Sequence, residues 1–201
     1  HCSISTSAPF RFGQQLGMKF PINEVTAADK VLNLLKPFDN VATLHGHDHE
    51  NCRHRVDGIQ ILTTAAVAGS WWKNGLQSPN ISGEPQGFRV IDVTSGQIES
   101  QYVTIEGSQS QLASWYTPVE SKRHFINVFD ASIETKVHIE NIGELQPLDP
   151  FSDSAKGLSP HLYELSSSQL EKIGSSELIS VSIEFENGQT GQLEIDCPAI
   201  E

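Results

Sequence analysis

Basic charge is what this sequence has least of. Only 13 Lys and Arg stand against 25 Asp and Glu in 201 residues, a formal net charge of −12 at pH 7, with the acids scattered along the chain. A surface of that sign repels phosphate backbones and anionic headgroups, which argues against a nucleic-acid or membrane-surface partner. Long apolar runs are missing as well, and none approaches the ~18 residues of a membrane helix. Cysteine is scarce: Cys2, Cys52 and Cys197 stand at unrelated spacings, giving neither a disulfide framework nor a C-x-x-C metal knuckle. There is no initiating Met, and no basic stretch followed by an apolar one; the chain opens on His1. Two expectations follow: His1 is a mature terminus exposed by processing, or the chain is the later part of a longer polypeptide. What is present, 37% apolar and 19% charged residues, suits a globular chain rather than a disordered one. Its length is that of one large domain or two small ones.

Ala28, Val31, Leu32 and Leu35 follow helical spacing, with Thr26 placed to cap the start and Pro37 to stop the end, so the spacing predicts an amphipathic helix over residues 26–36. Val41-Ala42-Thr43-Leu44 reads as a short strand running into a histidine-rich loop. Residues 53–57, 59–65, 87–93 and 98–105 read as strands, with turns at Gly58 and Ser95-Gly96. The small, polar stretch that begins at Gly107 and closes with Pro118 and Lys122-Arg123 is the best linker, over residues 107–123. Beyond it, Phe125, Val128 and Phe129, then Val137 and Ile139, suggest two strands. Val181, Ile183 and Phe185, then Asn187-Gly188, then Leu193 and Ile195 spell a hairpin with a two-residue turn. A helix-poor second half with such hairpins reads as a small β-sandwich.

Gly46-His47-Asp48-His49 carries the chemistry. Two histidines at i and i+2 put both imidazoles on one face of an extended backbone. A chain of this composition would contain Gly-His-x-His by chance only about 0.02 times. His1 precedes the motif by a helix and a strand, a connection long enough for a crossover to bring it alongside. Three neutral imidazoles would satisfy a catalytic zinc site that keeps a fourth position for water, whose pKa the metal lowers towards ~7. The alternatives for the same residues are a polar surface loop without metal, and a His1 that is only where the chain starts. His45 and His54, beside the motif, read as ordinary surface residues in preference to donors behind the ligands. Trp71 and Trp72 sit before a long Gly/Pro/Asn/Ser-rich loop ending at Gly87; they either rim a substrate cleft or pack that loop onto its domain. Trp115-Tyr116 reads as a plug between domains.

The stretch from Leu44 through Tyr102 resembles the end of the catalytic domain of calcineurin-like metallophosphoesterases. The resemblance is carried by the isolated His1, by Gly46-His47-Asp48-His49 after a strand, by Thr63-Thr64-Ala65-Ala66-Val67-Ala68-Gly69-Ser70-Trp71-Trp72 and by Gly83-Glu84-Pro85-Gln86-Gly87-Phe88-Arg89-Val90. From His124-Phe125-Ile126-Asn127-Val128-Phe129 through Leu148-Asp149-Pro150 to the last hairpin, the chain is similar to the β-rich C-terminal domain of one bacterial subgroup of that family. The expected fold class is therefore α+β: the incomplete C-terminal part of an α/β/β/α sandwich over residues 1–106, a linker over 107–123 and a small β-sandwich-like domain over 124–201.

The resemblance implies a hydrolase with two divalent metal ions of Mn, Fe or Zn type and a bridging hydroxide that attacks phosphorus. By family motif, His1 and His47 would bind one metal and His49 the other, with Trp71 and Trp72 towards a small phosphomonoester or phosphodiester. The family's Asp-x-His pair, its Gly-Asp segment with the bridging aspartate, and its Gly-Asn-His segment with the catalytic histidine would precede these residues, and none is in this sequence. No catalytic acid or base is thereby assigned here, and the chain alone is expected to be inactive until joined to the missing N-terminal part of the domain. Members of the subgroup are often exported, to the periplasm or the exterior, but this chain shows no signal segment of its own, and its compartment stays open. Two other classes stay open. A processed His1 could build a copper site from its amine and imidazoles. Residues 120–201, with only His124 and His161 and no paired carboxylates or phosphate loop, could be a binding or spacer module.

Overall fold

The computed structural model describes residues 27–46, 51–64, 85–105, 112–117, 122–132, 134–148, 162–186 and 188–198. The chain divides into two compact units, one of His1–Gln109 with Asp149–Ser159, the other of Ser110–Leu148 with Pro160–Glu201. Helices and a larger share of strands occur together, so the chain is α+β.

In the first unit, helix α1 (Ala28–Leu35) turns Leu32 onto Ile59 and Ile61, with Ala28, Val31, Leu35, Val41 and Val56 around them. Its start is Ala27, without a side-chain cap; Thr26, the expected cap, lies outside the described residues. Asp29 in the first turn suits the positive end of the helix. The helix covers one face of a three-stranded sheet made of β1 (Ala42–His45), β2 (Cys52–Val56) and β3 (Ile59–Thr63) in the order β1-β3-β2. β3 is parallel to β1 and antiparallel to β2, so it is central and reads apolar, with Ile61 and Leu62 inaccessible. Asp57 (φ 51°) and Gly58 (φ 84°) make the two-residue turn between β2 and β3, where both residues need positive φ.

A two-stranded ribbon, β4 (Gly87–Thr94) and β5 (Gln97–Thr104), turns at Ser95 (φ 52°) and Gly96 (φ 78°). One ribbon face meets the sheet, with Gln60 Nε2 donating to the Ile98 carbonyl at 3.5 Å. Gly87 admits no side chain, because a Cβ there would lie 2.5 Å from the Val103 carbonyl oxygen and 2.6 Å from the Tyr102 ring. That close approach lets the Tyr102 hydroxyl donate to the Pro85 carbonyl at 2.8 Å.

The second unit holds two sheets around one core. β6 (Ala113–Tyr116), β7 (Phe125–Val128) and β10 (Leu162–Glu164) form one, in the order β10-β7-β6. β8 (Lys136–Ile139), β9 (Gly143–Leu145), β11 (Leu178–Glu184) and β12 (Thr190–Asp196) form the other, in the order β12-β11-β8-β9. The alternation of β11 puts Ile179, Val181 and Ile183 inward, where they join Val137, Ile139, Leu145, Ile126 and Val128. Helix α2 (Ser167–Ile173) adds Ile173 and Leu170 to that core. It starts with a reciprocal cap in which the Ser166 hydroxyl accepts from the Gln169 amide and the Gln169 side chain accepts from the Ser166 amide. Arg123 makes a two-pronged ion pair with Glu164 at 2.7 and 2.8 Å while lying over the Phe125 ring. That hydrogen-bonded guanidinium holds the Glu164 carboxyl below its usual range.

Several expectations need correction. The 107–123 stretch read as a linker contains β6, because Ala113 is buried against β7 and Trp115 packs on the core of its own unit. Trp115 is therefore a half-buried side chain on the core of its own unit. The second half is helix-poor as expected but holds one short helix, α2, which its Ser-x-x-Gln start announces. The last hairpin closes with a three-residue loop between Phe185 and Gln189, fastened by Phe185 N–H to the Gln189 carbonyl and Gly188 N–H to the Phe185 carbonyl, both at 2.9 Å. The Gly188 φ of 82° suits a turn that ends in a bulge rather than the two-residue turn expected. No helix among the described residues is long and apolar enough to cross a membrane.

Candidate functional site

The histidine motif starts at the carboxyl end of β1. Gly46 leaves that strand, the chain re-enters at Asn51 ahead of β2, and between these two flanks lies β3, whose own carboxyl end is Thr63. The register sets His45 beside Thr63 on one side and Cys52 beside Thr63 on the other, and the Thr64 amide closes the edge by donating to the His45 carbonyl at 3.0 Å. Both flanks of the motif are thus tied to one sheet edge, which is where parallel strands present loops for binding and chemistry.

His54 lies on the same sheet face as His45, since His54 pairs with Ile61, Ile61 with Thr43, and Thr43 alternates with His45. It is 9% exposed, so the expectation of a surface histidine is wrong. Burial first, and the neighbouring His45 second, push its pKa down to about 4, so its imidazole is neutral at pH 7. The period-2 pattern hid this, because Arg-His-Arg reads as a polar edge when in fact Arg53 and His54 are both buried beside the central β3.

On the other side of the edge Asn51, 1% exposed, accepts a hydrogen bond from the Arg89 guanidinium at 2.6 Å, and Arg89 also donates to Ser100 Oγ at 2.6 Å. The ribbon is in this way joined to the residue two places after His49. Sequence reasoning passed over Arg89 as a site-shaping residue. The signal was there: Arg89 alternates with the half-buried Ile91 on β4, and a charge on such a face needs a partner.

His1, His47, His49, Trp71 and Trp72 all lie outside the described residues. Among the described residues no group of three or more His, Cys, Asp or Glu is placed to hold a metal ion. Imidazole donors such as those of the motif are chemically of the kind zinc, manganese and iron accept. No protein-family model, curated protein or solved structure matches the chain.

Proposed function

We propose that the chain is the C-terminal portion of a metal-dependent phosphoesterase, with His47 and His49 among its metal ligands, His1 as a further ligand, and Trp71 and Trp72 towards the substrate. The fold in which this places it is the α/β/β/α sandwich, followed by a small β-sandwich-like domain. The observation that supports the reading most is that Gly46, first residue of Gly46-His47-Asp48-His49, leaves the carboxyl end of a strand parallel to its neighbour, with a helix on one face of that sheet. Two divalent ions held there would supply a metal-bound hydroxide for attack on phosphorus and positive charge for the phosphoryl oxygens. This chain's own residues support both ends of the motif: β1 and β3 hold its entry, Arg89 holds Asn51 at its exit, and neutral His54 lies on the sheet face it shares with His45.

The test is to express the chain together with the coding sequence that lies upstream of it, and to assay hydrolysis of p-nitrophenyl phosphate and bis(p-nitrophenyl) phosphate with added Mn²⁺. Metal-dependent turnover is expected, falling at least ~100-fold in His47→Ala and in His49→Ala. The 201-residue chain alone is expected to bind Zn²⁺ weakly and to turn over neither ester. A well-folded longer protein that cleaves no phosphoester refutes the reading.

A further inference from the structure

The outer face of the β4–β5 ribbon carries an unusual pair of features in one row. The register sets Phe88 opposite Val103, Val90 opposite Gln101 and Asp92 opposite Glu99, and Ile105 extends the same face, its N–H donating to the Gln86 carbonyl at 2.8 Å. Alternation puts all of these on one side, because Arg89, Ser100 and Tyr102 take the other side, towards the sheet. Phe88, Val90 and Ile105 are 45%, 46% and 47% exposed, so the end of the ribbon away from its turn presents a contiguous apolar surface to water. Two residues along, ~7 Å further on, the exposed carboxylates of Asp92 and Glu99 face each other directly across the strands. Like charges opposite one another in a sheet destabilise it, and exposed contiguous apolar surface marks an interaction site.

We propose that this face docks a cationic amphipathic segment of a partner polypeptide, its apolar side chains on Phe88, Val90, Val103 and Ile105 and a Lys or Arg seated between Asp92 and Glu99. Such a partner resolves both features at once, burying the apolar surface and neutralising the opposed carboxylates. A second copy of this chain does not, since the same face of the copy brings no Lys or Arg to the opposed carboxylates and each molecule carries −12. The partner's apolar stripe supplies affinity, and the cation sets its direction along the ribbon.

The experiment measures fluorescence anisotropy of a labelled 18-residue Leu/Lys amphipathic helical peptide titrated with the 201-residue protein at 0.15 M salt, with the Leu/Glu peptide of the same pattern as comparison. Binding of the Leu/Lys peptide only is expected. It weakens at least tenfold in the double variant Phe88→Ser, Ile105→Ser and in the double variant Asp92→Lys, Glu99→Lys. It changes less than threefold in Glu140→Lys, Glu144→Lys, which makes the same charge change on exposed residues of the other unit. Circular dichroism checks that every variant is folded. The absence of binding overturns the proposal, as does equal weakening by both charge-reversal pairs, which would make the attraction one of net charge alone. Sedimentation showing a wild-type dimer that Phe88→Ser, Ile105→Ser disperses would make the occupant a second copy and overturn it too.

Discussion

Arg89 on β4 and Asn51 ahead of β2 are 38 residues apart in sequence and 2.6 Å apart in space, joined guanidinium to amide oxygen. The bond fastens the ribbon to the exit of the histidine motif, and Ser100 on β5 holds the same guanidinium from the other strand. Hydrogen bonds from a charged donor are among the stronger ones, and Asn51 is 1% exposed, so little water competes for it.

Arg89→Ala should therefore cost about 1.5–3 kcal/mol of stability in urea unfolding at pH 7. Asn51→Ala should cost a similar amount. The double variant should cost less than the sum of the two, leaving a coupling of about 1 kcal/mol or more. Additive losses would mean the contact is energetically idle.

Acid should destabilise the first unit through His54. Burial holds its imidazole neutral down to about pH 4, whereas in the unfolded chain it takes up a proton near pH 6.5. The unfolded state thus binds more protons between these values. Stability is full above pH 6.5, falls as the pH drops towards 4, and has lost on the order of 3 kcal/mol from this group by then. Chelator-treated protein unfolded in urea at pH 7 and pH 4.5 should show the loss, and His54→Leu should flatten it. An unchanged slope in the variant would assign the acid sensitivity to other groups.

Tyr163 makes the matching test for the second unit. Its ring is inaccessible in the core, and its hydroxyl donates to the Thr135 carbonyl at 2.8 Å, tying β10 to the approach to β8. Burial, and then Glu186, push its pKa up, so the hydroxyl stays protonated across the working range and the bond is insensitive to pH. Tyr163→Phe keeps the packing and removes the donor, and should cost about 1–3 kcal/mol in thermal or urea unfolding at both pH 6 and pH 9. A loss under 0.5 kcal/mol would show that water replaces the hydroxyl.

Local chemistry sufficed for much of this chain. Asp57-Gly58 and Ser95-Gly96 announce their turns because positive φ is a property of one or two residues, and β11 announces itself because a strand's faces alternate with period two. The same locality explains α1, whose apolar positions repeat once per turn. The metal ligands of the candidate site were named from spacing and resemblance alone, and they lie outside the described residues.

Tertiary structure decided the rest, because it depends on which segments become neighbours. Nothing in Arg53-His54-Arg55 says that the first two are buried. That follows from β3 lying between β1 and β2, which sets His54 on the face it shares with His45. β6 looked like a linker because four residues hold too little pattern, and only pairing with β7 reveals what Ala113 covers. Arg89 found its role only when a ribbon with one inward face met a sheet edge, since the energy of a buried charge is set by the partner it reaches and not by its place in the sequence.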